Sequence, residues 1–145
     1  PKSFCSLKTS TCLRSPLPKI FTIHGLWPDN YSWPLRDCKY KVYQLPKLQD
    51  GVLLEDLDKK WPDLTKRRRK GEPPDKDFWI SQWKKHGSCA LSVYKFRDYF
   101  DEALNLKNKY NFLTILRENG VIPGDVYDTK RVAGIIHAAT KHDPA

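Results

Sequence analysis

Two short stretches of the sequence each place a histidine directly before a glycine. His24 lies in "FTIHGLWPDN" at 21–30, and His86 lies in "FWISQWKKHGSC" at 78–89. Since an unperturbed imidazole has a pKa of about 6.5, one histidine can accept a proton and another can donate one near neutral pH. Taken alone, either histidine is equally well explained by a structural role, in the core or at a helix end. The two stretches together predict an acid–base pair.

The second stretch also carries polar side chains at helical spacing. If residues 77–87 form a helix, Gln82, Lys85 and His86 stand at positions i, i+3 and i+4 and share one face. An amide, an ammonium group and an imidazole on one surface are suited to hold a phosphate. The expected chemistry is cleavage of RNA, in which one histidine takes the proton of the ribose 2′-OH and the other protonates the departing 5′ oxygen. The nucleophile belongs to the substrate, and the sequence has no metal-ligand cluster, so we expect neither metal nor cofactor.

Composition agrees with a polyanionic substrate. The chain has 26 basic and 17 acidic residues and a formal charge of +9, which favours nucleic acid, an acidic polysaccharide or an anionic membrane surface; solubility alone is the alternative. No apolar run reaches the roughly 18 residues of a membrane helix, so we expect no membrane segment. Four cysteines without a Cys-x-x-Cys pair predict two disulfides and a secreted protein. Asn30 begins an "NYS" acceptor for N-glycosylation.

The hydrophobic periodicity predicts the helices, strands and loops that must position these groups. The length of 145 residues predicts a single domain, 1–145. Residues 20–23 predict a buried strand, 1–20 a cross-linked loop, and 63–77 an exposed loop with the basic run "KRRRK" at 66–70. The helix at 77–87 is predicted to start at Asp77 and to end before Gly87. Apolar side chains recur at helical spacing in five segments: 48–61, 77–87, 93–107, 111–119 and 128–141.

Both histidine stretches resemble the two active-site segments of the ribonuclease T2 family. "FTIHGLWP" matches the first segment throughout, and "KKHGSC" resembles the end of the second. "KKWPDL" at 59–64 and "AATKHDP" at 138–144 extend the resemblance along the chain, and the basic, secreted S-ribonucleases of plant self-incompatibility are the most similar members. The resemblance implies an α+β fold with helices packed on an antiparallel β-sheet. It also implies endonucleolytic transesterification of RNA through a 2′,3′-cyclic phosphate.

The resemblance further implies a role for individual residues. His86 corresponds to the general base and His24 to the general acid, and Lys85 is expected to stabilise the charge on the phosphorane. Phe78 stands where relatives stack a base, and Trp27 is expected to support the pocket. Two disulfides are implied, Cys5 with Cys12 and Cys38 with Cys89.

The sequence departs from the family pattern at Gln82, where the motif has glutamate. An amide still donates a hydrogen bond to phosphate, but it neither titrates nor balances the charge of Lys85. We therefore expect activity reduced by about one to two orders of magnitude. Ser81 also replaces a further histidine found in many relatives. Family members normally have additional strands before and after the matched segments, with two more disulfides, so we expect a partial sequence lacking both ends, which accounts for the shortage of strands.

Several alternatives and partners follow from the same pattern. A weakly active or inactive relative, acting as an RNA-binding, storage or defence protein, is favoured by Gln82, whereas a purely protein-binding module leaves the paired histidines unexplained.

RNA is the predicted substrate, and the protein is expected to be a monomer. Residues 40–47 and 66–76 correspond to variable segments associated with partner discrimination, so they are the expected surface for pollen F-box proteins. His137 and His142 are expected in structural or surface roles, and three aromatic residues are expected in the core: Trp61, Tyr99 and Phe100.

Overall fold

The computed structural model describes residues 1–30, 32–38, 48–68 and 75–144. These residues form two compact units, Pro1–Asn105 and Leu106–Ala145. The helices in the described ranges are α1 (Lys2–Cys5), α2 (Gly51–Lys60), α3 (Lys76–Lys85), a 3-10 turn (Gly87–Ala90), α4 (Phe96–Lys109), α5 (Phe112–Glu118) and α6 (Thr129–Thr140). The five predicted helices are thus confirmed, with ends that differ from the prediction by one to three residues.

The core of the first unit is built from aromatic side chains of α3, α4 and the end of α2. Trp61, Trp83, Tyr99 and Phe100 are fully buried. They pack edge to face, as in the pair of Tyr99 and Phe100, whose ring centroids are 5.2 Å apart with planes at 79°. The expectation that Trp61, Tyr99 and Phe100 belong to the core is confirmed. Leucines from α2 complete this cluster: Leu53, Leu54 and Leu57.

α2 begins later than its apolar pattern predicts, because Asp50 caps it. The Asp50 carboxylate accepts hydrogen bonds from the backbone N–H groups of Val52 at 3.0 Å and Leu53 at 3.1 Å. Such a cap satisfies amides that have no partner within the helix. Arg97 of α4 binds the other carboxylate oxygen at 2.5 Å, and this contact joins the start of α2 to α4.

Three predictions about the connecting segments are wrong. The segment 1–20 contains a helical turn, α1, in which the N–H of Cys5 donates to the carbonyl of Pro1 at 2.9 Å. Residues 20–23 do not form a buried strand. Ile20 and Phe21 are 39% and 45% exposed, and a strand needs a neighbouring strand to satisfy its amides. The segment 63–77 is not wholly exposed, because Asp75 is 3% exposed and bound on two sides.

The predicted β-sheet is not visible in the described ranges. The β-type pairing found there is an isolated antiparallel bridge between Asp29 and Pro34. The segment around His24 is fixed instead by single hydrogen bonds, such as that from the N–H of Ile23 to the carbonyl of Lys60 at 2.8 Å. The sheet of the α+β expectation therefore stays a prediction.

The second unit consists mainly of α5 and α6, which pack against each other. α5 ends at Glu118, and two residues later Gly120 has a φ of +71°, in the region that favours glycine. Asp128 caps α6 by accepting from the N–H of Lys130 at 2.7 Å. His137 and His142 are exposed, and Nδ1 of His137 lies 2.8 Å from the carboxylate of Asp143. Both histidines thus take the surface positions expected of them.

Candidate active site

Buried aromatic residues fix the main chain on both sides of Gly25. The indole Nε1 of Trp61 donates to the carbonyl of His24 at 3.3 Å, and the hydroxyl of Tyr99 donates to the carbonyl of Leu26 at 2.7 Å. Burial raises the pKa of the Tyr99 hydroxyl, so it stays a neutral donor. The segment that carries His24 is therefore held by the helical core rather than by a strand.

His86 follows directly on α3, where the chain leaves the helix with φ −120° and ψ −52°. The Cys38–Cys89 disulfide joins the following 3-10 turn to the segment 32–38. In that segment the N–H of Asp37 donates to the carbonyl of Lys85 at 2.7 Å. A disulfide and a hydrogen bond thus fix the residues on both sides of His86.

The indole of Trp27 contacts both imidazoles. It meets His24 edge-on, with ring centroids 5.0 Å apart and planes at 69°, and it stacks on His86, with centroids 5.4 Å apart and planes at 30°. Aromatic rings at these separations attract each other. Trp27 is 54% exposed, so the ring also faces solvent. The structure therefore brings together, around one indole, the two histidines that the sequence paired.

The glycine after each histidine leaves space for an indole. A Cβ on Gly25 would lie 2.1 Å from Nε1 of Trp27, and a Cβ on Gly87 would lie 2.2 Å from Cε3 of Trp83. Both distances are far below van der Waals contact. The repeated His-Gly order thus has a packing reason: the ring beside each histidine occupies the volume of a side chain at the next position.

The surroundings of His86 favour its neutral form. Burial lowers the pKa of His86 most, and the positive charges of Lys85, Arg36 and His24 lower it further, whereas Asp37 opposes them. The imidazole is 9% exposed, and its Nδ1 has no hydrogen-bond partner among the described residues. A neutral imidazole accepts a proton, so this environment suits a general base.

A cavity of about 420 Å³ is lined in part by His24. Phe78 and Gln82, one turn apart on α3, line it together with His24. Lys85 is exposed, and neither Lys85 nor His86 belongs to the cavity lining. Gln82 and Lys85 lie in α3 and His86 follows its last residue, and of these three residues Gln82 alone lines the cavity.

A tight turn that the sequence pattern does not single out also lines this cavity. Its residues are Pro62, Asp63, Leu64 and Thr65. The Asp63 carboxylate accepts from the N–H of Thr65 at 2.9 Å and from its hydroxyl at 2.6 Å, an Asx-type turn. The "WPD" order indicates a turn, but only the fold brings this turn to the same cavity as Phe78.

The structure describes some, but not all, of the other residues that the sequence predicts for the site and the recognition segments. Both predicted disulfides, Cys5–Cys12 and Cys38–Cys89, are present. Asn30 is exposed, and its side-chain oxygen accepts from the N–H of Ser32 at 2.8 Å, while its glycosylation stays a prediction. Of the expected recognition segments, residues 40–47 and 69–74 lie outside the described residues. In the described part of these segments, Lys66 and Arg67 are exposed.

Two classes of site are not found in the described ranges. No group of three or more histidine, cysteine or acidic residues there could hold a metal ion. No helix there is both long and apolar enough to cross a membrane.

Comparison with known proteins identifies the family. The chain is 50% identical over 141 residues to ribonuclease S-2 of Antirrhinum hispanicum, an alignment that covers 97% of this chain and 59% of that protein. It is 38% identical to ribonuclease S-7 of Nicotiana alata, over 99% of this chain and 64% of that protein. The chain thus spans about three fifths of the length of these relatives.

A solved structure gives the same result for the fold. The crystal structure of the gametophytic self-incompatibility associated SF11-RNase of Nicotiana alata matches with a TM-score of 0.83 and 36% identity, over 99% of this chain and 70% of that one. The model of the ribonuclease T2 family matches residues 1–145. With His24 and His86 placed around one indole in a fold of this type, the chain belongs to the ribonuclease T2 family.

Proposed function

We propose that the protein is a secreted endoribonuclease that cleaves RNA by transesterification through a 2′,3′-cyclic phosphate. The observation that carries the proposal is the contact of His24 and His86 with the same indole, that of Trp27. Two imidazoles from separate segments can then face one phosphodiester from two directions. Family membership supports the substrate class.

In the first step His86 acts as the general base. Its buried position lowers the pKa of its imidazole, so the neutral form is ready to accept the proton of the ribose 2′-OH. The 2′ oxygen then forms a bond to phosphorus, while the bond from phosphorus to the 5′ oxygen breaks.

His24 donates the proton that the departing 5′ oxygen takes up. It is exposed and lines the cavity, so the leaving nucleoside can reach it. After the step His86 is protonated and His24 is neutral, and the products are a 2′,3′-cyclic phosphate and a 5′-OH. Addition of water to the cyclic phosphate in the reverse sense returns both histidines to their starting protonation states.

Lys85 and Gln82 contribute to phosphate binding in this proposal. The exposed Lys85 ammonium stabilises the charge that develops on the phosphorane. Gln82, which lines the cavity beside His24, donates a neutral hydrogen bond. Phe78 offers an aromatic face in the same cavity, on which a base can stack.

Within this activity we propose the role of a pistil S-ribonuclease in self-incompatibility. The relatives named ribonuclease S-2 and S-7 support it, as does the charge of +9. Secretion is supported by the two disulfides, since such bonds persist in oxidising compartments. In this role the protein is a monomer, glycosylated at Asn30, and its segments 40–47 and 66–76 contact pollen F-box proteins.

The second candidate is a weakly active relative that binds RNA or serves in storage or defence. The amide of Gln82 favours it, because no carboxylate at this position offsets the positive charges beside His86. Pistil-restricted expression, together with allelic variation in 40–47 and 66–76, would support self-incompatibility over this candidate; uniform expression without such variation would support the second.

RNA degradation in the presence of EDTA tests the mechanism. We expect cleavage to continue in EDTA and to fall by about two to four orders of magnitude in His24→Ala and in His86→Ala. His137→Ala is the matched control, because His137 is exposed in the second unit and contacts Asp143. Full cleavage by either active-site variant would refute the two-histidine mechanism.

A further inference from the structure

One buried carboxylate has no role in the chemistry described above. Asp75 is 3% exposed, and its Oδ2 accepts from the backbone N–H of Asp63 at 3.0 Å and from Nη1 of Arg14 at 3.3 Å. A buried charge requires such partners, since an unpaired one is strongly unfavourable. Its contacts therefore indicate what the carboxylate holds in place.

The main chain of Asp75 starts one wall of the cavity. Its carbonyl accepts from the N–H of Trp79 at 3.2 Å, the first hydrogen bond of α3, and this helix carries Phe78 and Gln82. The side chain does not cap the helix, although aspartate at this position normally does. It reaches instead to the turn 62–65, which also lines the cavity, and there it binds the N–H of Asp63.

Arg14 completes this arrangement from the N-terminal segment. Its Nη2 lies 3.1 Å from the carboxylate of Asp58 in α2, while its Nη1 pairs with Asp75. Its backbone N–H also donates to the carbonyl of Leu64, in the same turn as Asp63, at 3.2 Å. The guanidinium is 13% exposed, so it neutralises Asp75 away from bulk water.

We infer that Asp75 is a positioning residue that sets the separation of the two cavity walls, the turn 62–65 and the face of α3 with Phe78. The inference rests on the proposed function, because it takes this cavity as the place where a nucleotide base of the substrate binds. Asp75 touches no substrate; it acts through Asp63 and through the start of α3.

The physical reason is preorganisation. A planar base that stacks on Phe78 also contacts other parts of the cavity lining, and a lining segment that moves must be ordered again with each binding event. The bond from Asp63 to the buried carboxylate removes that freedom before the substrate arrives. Its loss should weaken ground-state binding and leave the proton transfers of His24 and His86 unchanged.

Binding of 5′-AMP by calorimetry, together with KM and kcat on a dinucleoside monophosphate, tests the inference. We expect Asp75→Ala to raise the Kd and the KM about five- to tenfold, the equivalent of one lost hydrogen bond, with kcat within about twofold. Asp75→Asn should restore both constants to within about twofold, because its amide oxygen can still accept from the N–H of Asp63.

Asp58→Ala is the matched control. It removes the carboxylate that binds Arg14 and Arg68, and Asp58 does not line the cavity, so it should lower the urea midpoint of unfolding without changing the Kd. If Asp75→Ala does not fold, Asp75→Glu replaces it, because the added methylene keeps the charge but displaces the turn, and the Kd should again rise.

The inference is overturned if folded Asp75 variants bind 5′-AMP like the wild type, or if Asp58→Ala weakens binding equally. It is also overturned if the wild type does not bind 5′-AMP at millimolar concentration. A wild type that binds 5′-AMP but does not cleave RNA would refute the proposed function and leave the wall-positioning role intact, because the Kd is measured without turnover.

Discussion

The indole of Trp27 stacks on the imidazole of His86, with ring centroids 5.4 Å apart and planes at 30°. Nδ1 of His86 has no hydrogen-bond partner among the described residues. Packing against the indole, rather than a hydrogen bond, therefore fixes the orientation of this imidazole.

Replacing the stacked ring should reduce activity more than stability. We expect Trp27→Leu to lower kcat about ten- to a hundredfold, because a misplaced catalytic group is costly. The free energy of unfolding should change by less than about 1 kcal/mol, since the indole is 54% exposed. Trp33→Leu is the control, because Trp33 is 75% exposed and, within the described part of the chain, its ring contacts neither histidine. Equal kcat for both variants would contradict the role of the stack.

The acidic limb of the pH–rate profile should lie below the ordinary histidine value of 6.5. The base works when neutral, so kcat/KM falls as the pH drops through the pKa of His86, which burial lowers. Asp37 raises this pKa, so Asp37→Asn should move the limb to lower pH. Arg36 lowers it, so Arg36→Gln should move the limb to higher pH.

NMR titration of the His86 ring checks these directions without turnover. Both charges are exposed at the surface, so the two shifts should diminish as ionic strength rises. An acidic limb above 6.5, or a shift in either variant against its expected direction, would count against His86 as the base.

Gln82→Glu should raise kcat by about ten- to a hundredfold, because it restores a carboxylate beside His24 in the cavity wall. The added negative charge should also raise the pKa of His86 and move the acidic limb upward. Gln82→Leu, of similar size, separates the charge from the hydrogen bond and should fall below the wild type. An unchanged or lower kcat in Gln82→Glu would defeat the idea that this position limits the enzyme.

Two glycine-to-alanine changes should have opposite effects on stability. Gly25→Ala places a Cβ 2.1 Å from Nε1 of Trp27, so it should displace the ring, lower kcat and cost about 1–3 kcal/mol. Gly134→Ala lies inside α6 with nothing within 4 Å of the added Cβ, and it should stabilise the fold by about 0.5–1 kcal/mol. The urea midpoints of unfolding measure both effects. If Gly25→Ala left the midpoint unchanged, the indole of Trp27 would have another position in which to pack.

Periodicity predicted the helices well, because each presents an apolar face to the protein, and it predicted the segment around His24 poorly. Ile20 and Phe21 have the residue types of a strand, but strand formation depends on a partner that lies elsewhere in the sequence. Asp75 was expected in an exposed loop for a similar reason. Its burial depends on Arg14, 61 positions away, and no local pattern contains that contact.

The sequence by itself determined the helices, the two disulfides, the pairing of His24 with His86 and the family, because each depends on residue types at short or recognisable spacings. Tertiary structure decided the rest. It placed Trp27 against both imidazoles, put Gln82 but not His86 in the cavity lining, and joined Asp75 to the turn that lines the same cavity. These relationships join residues from distant segments, so they exist only when the buried aromatic core brings those segments together.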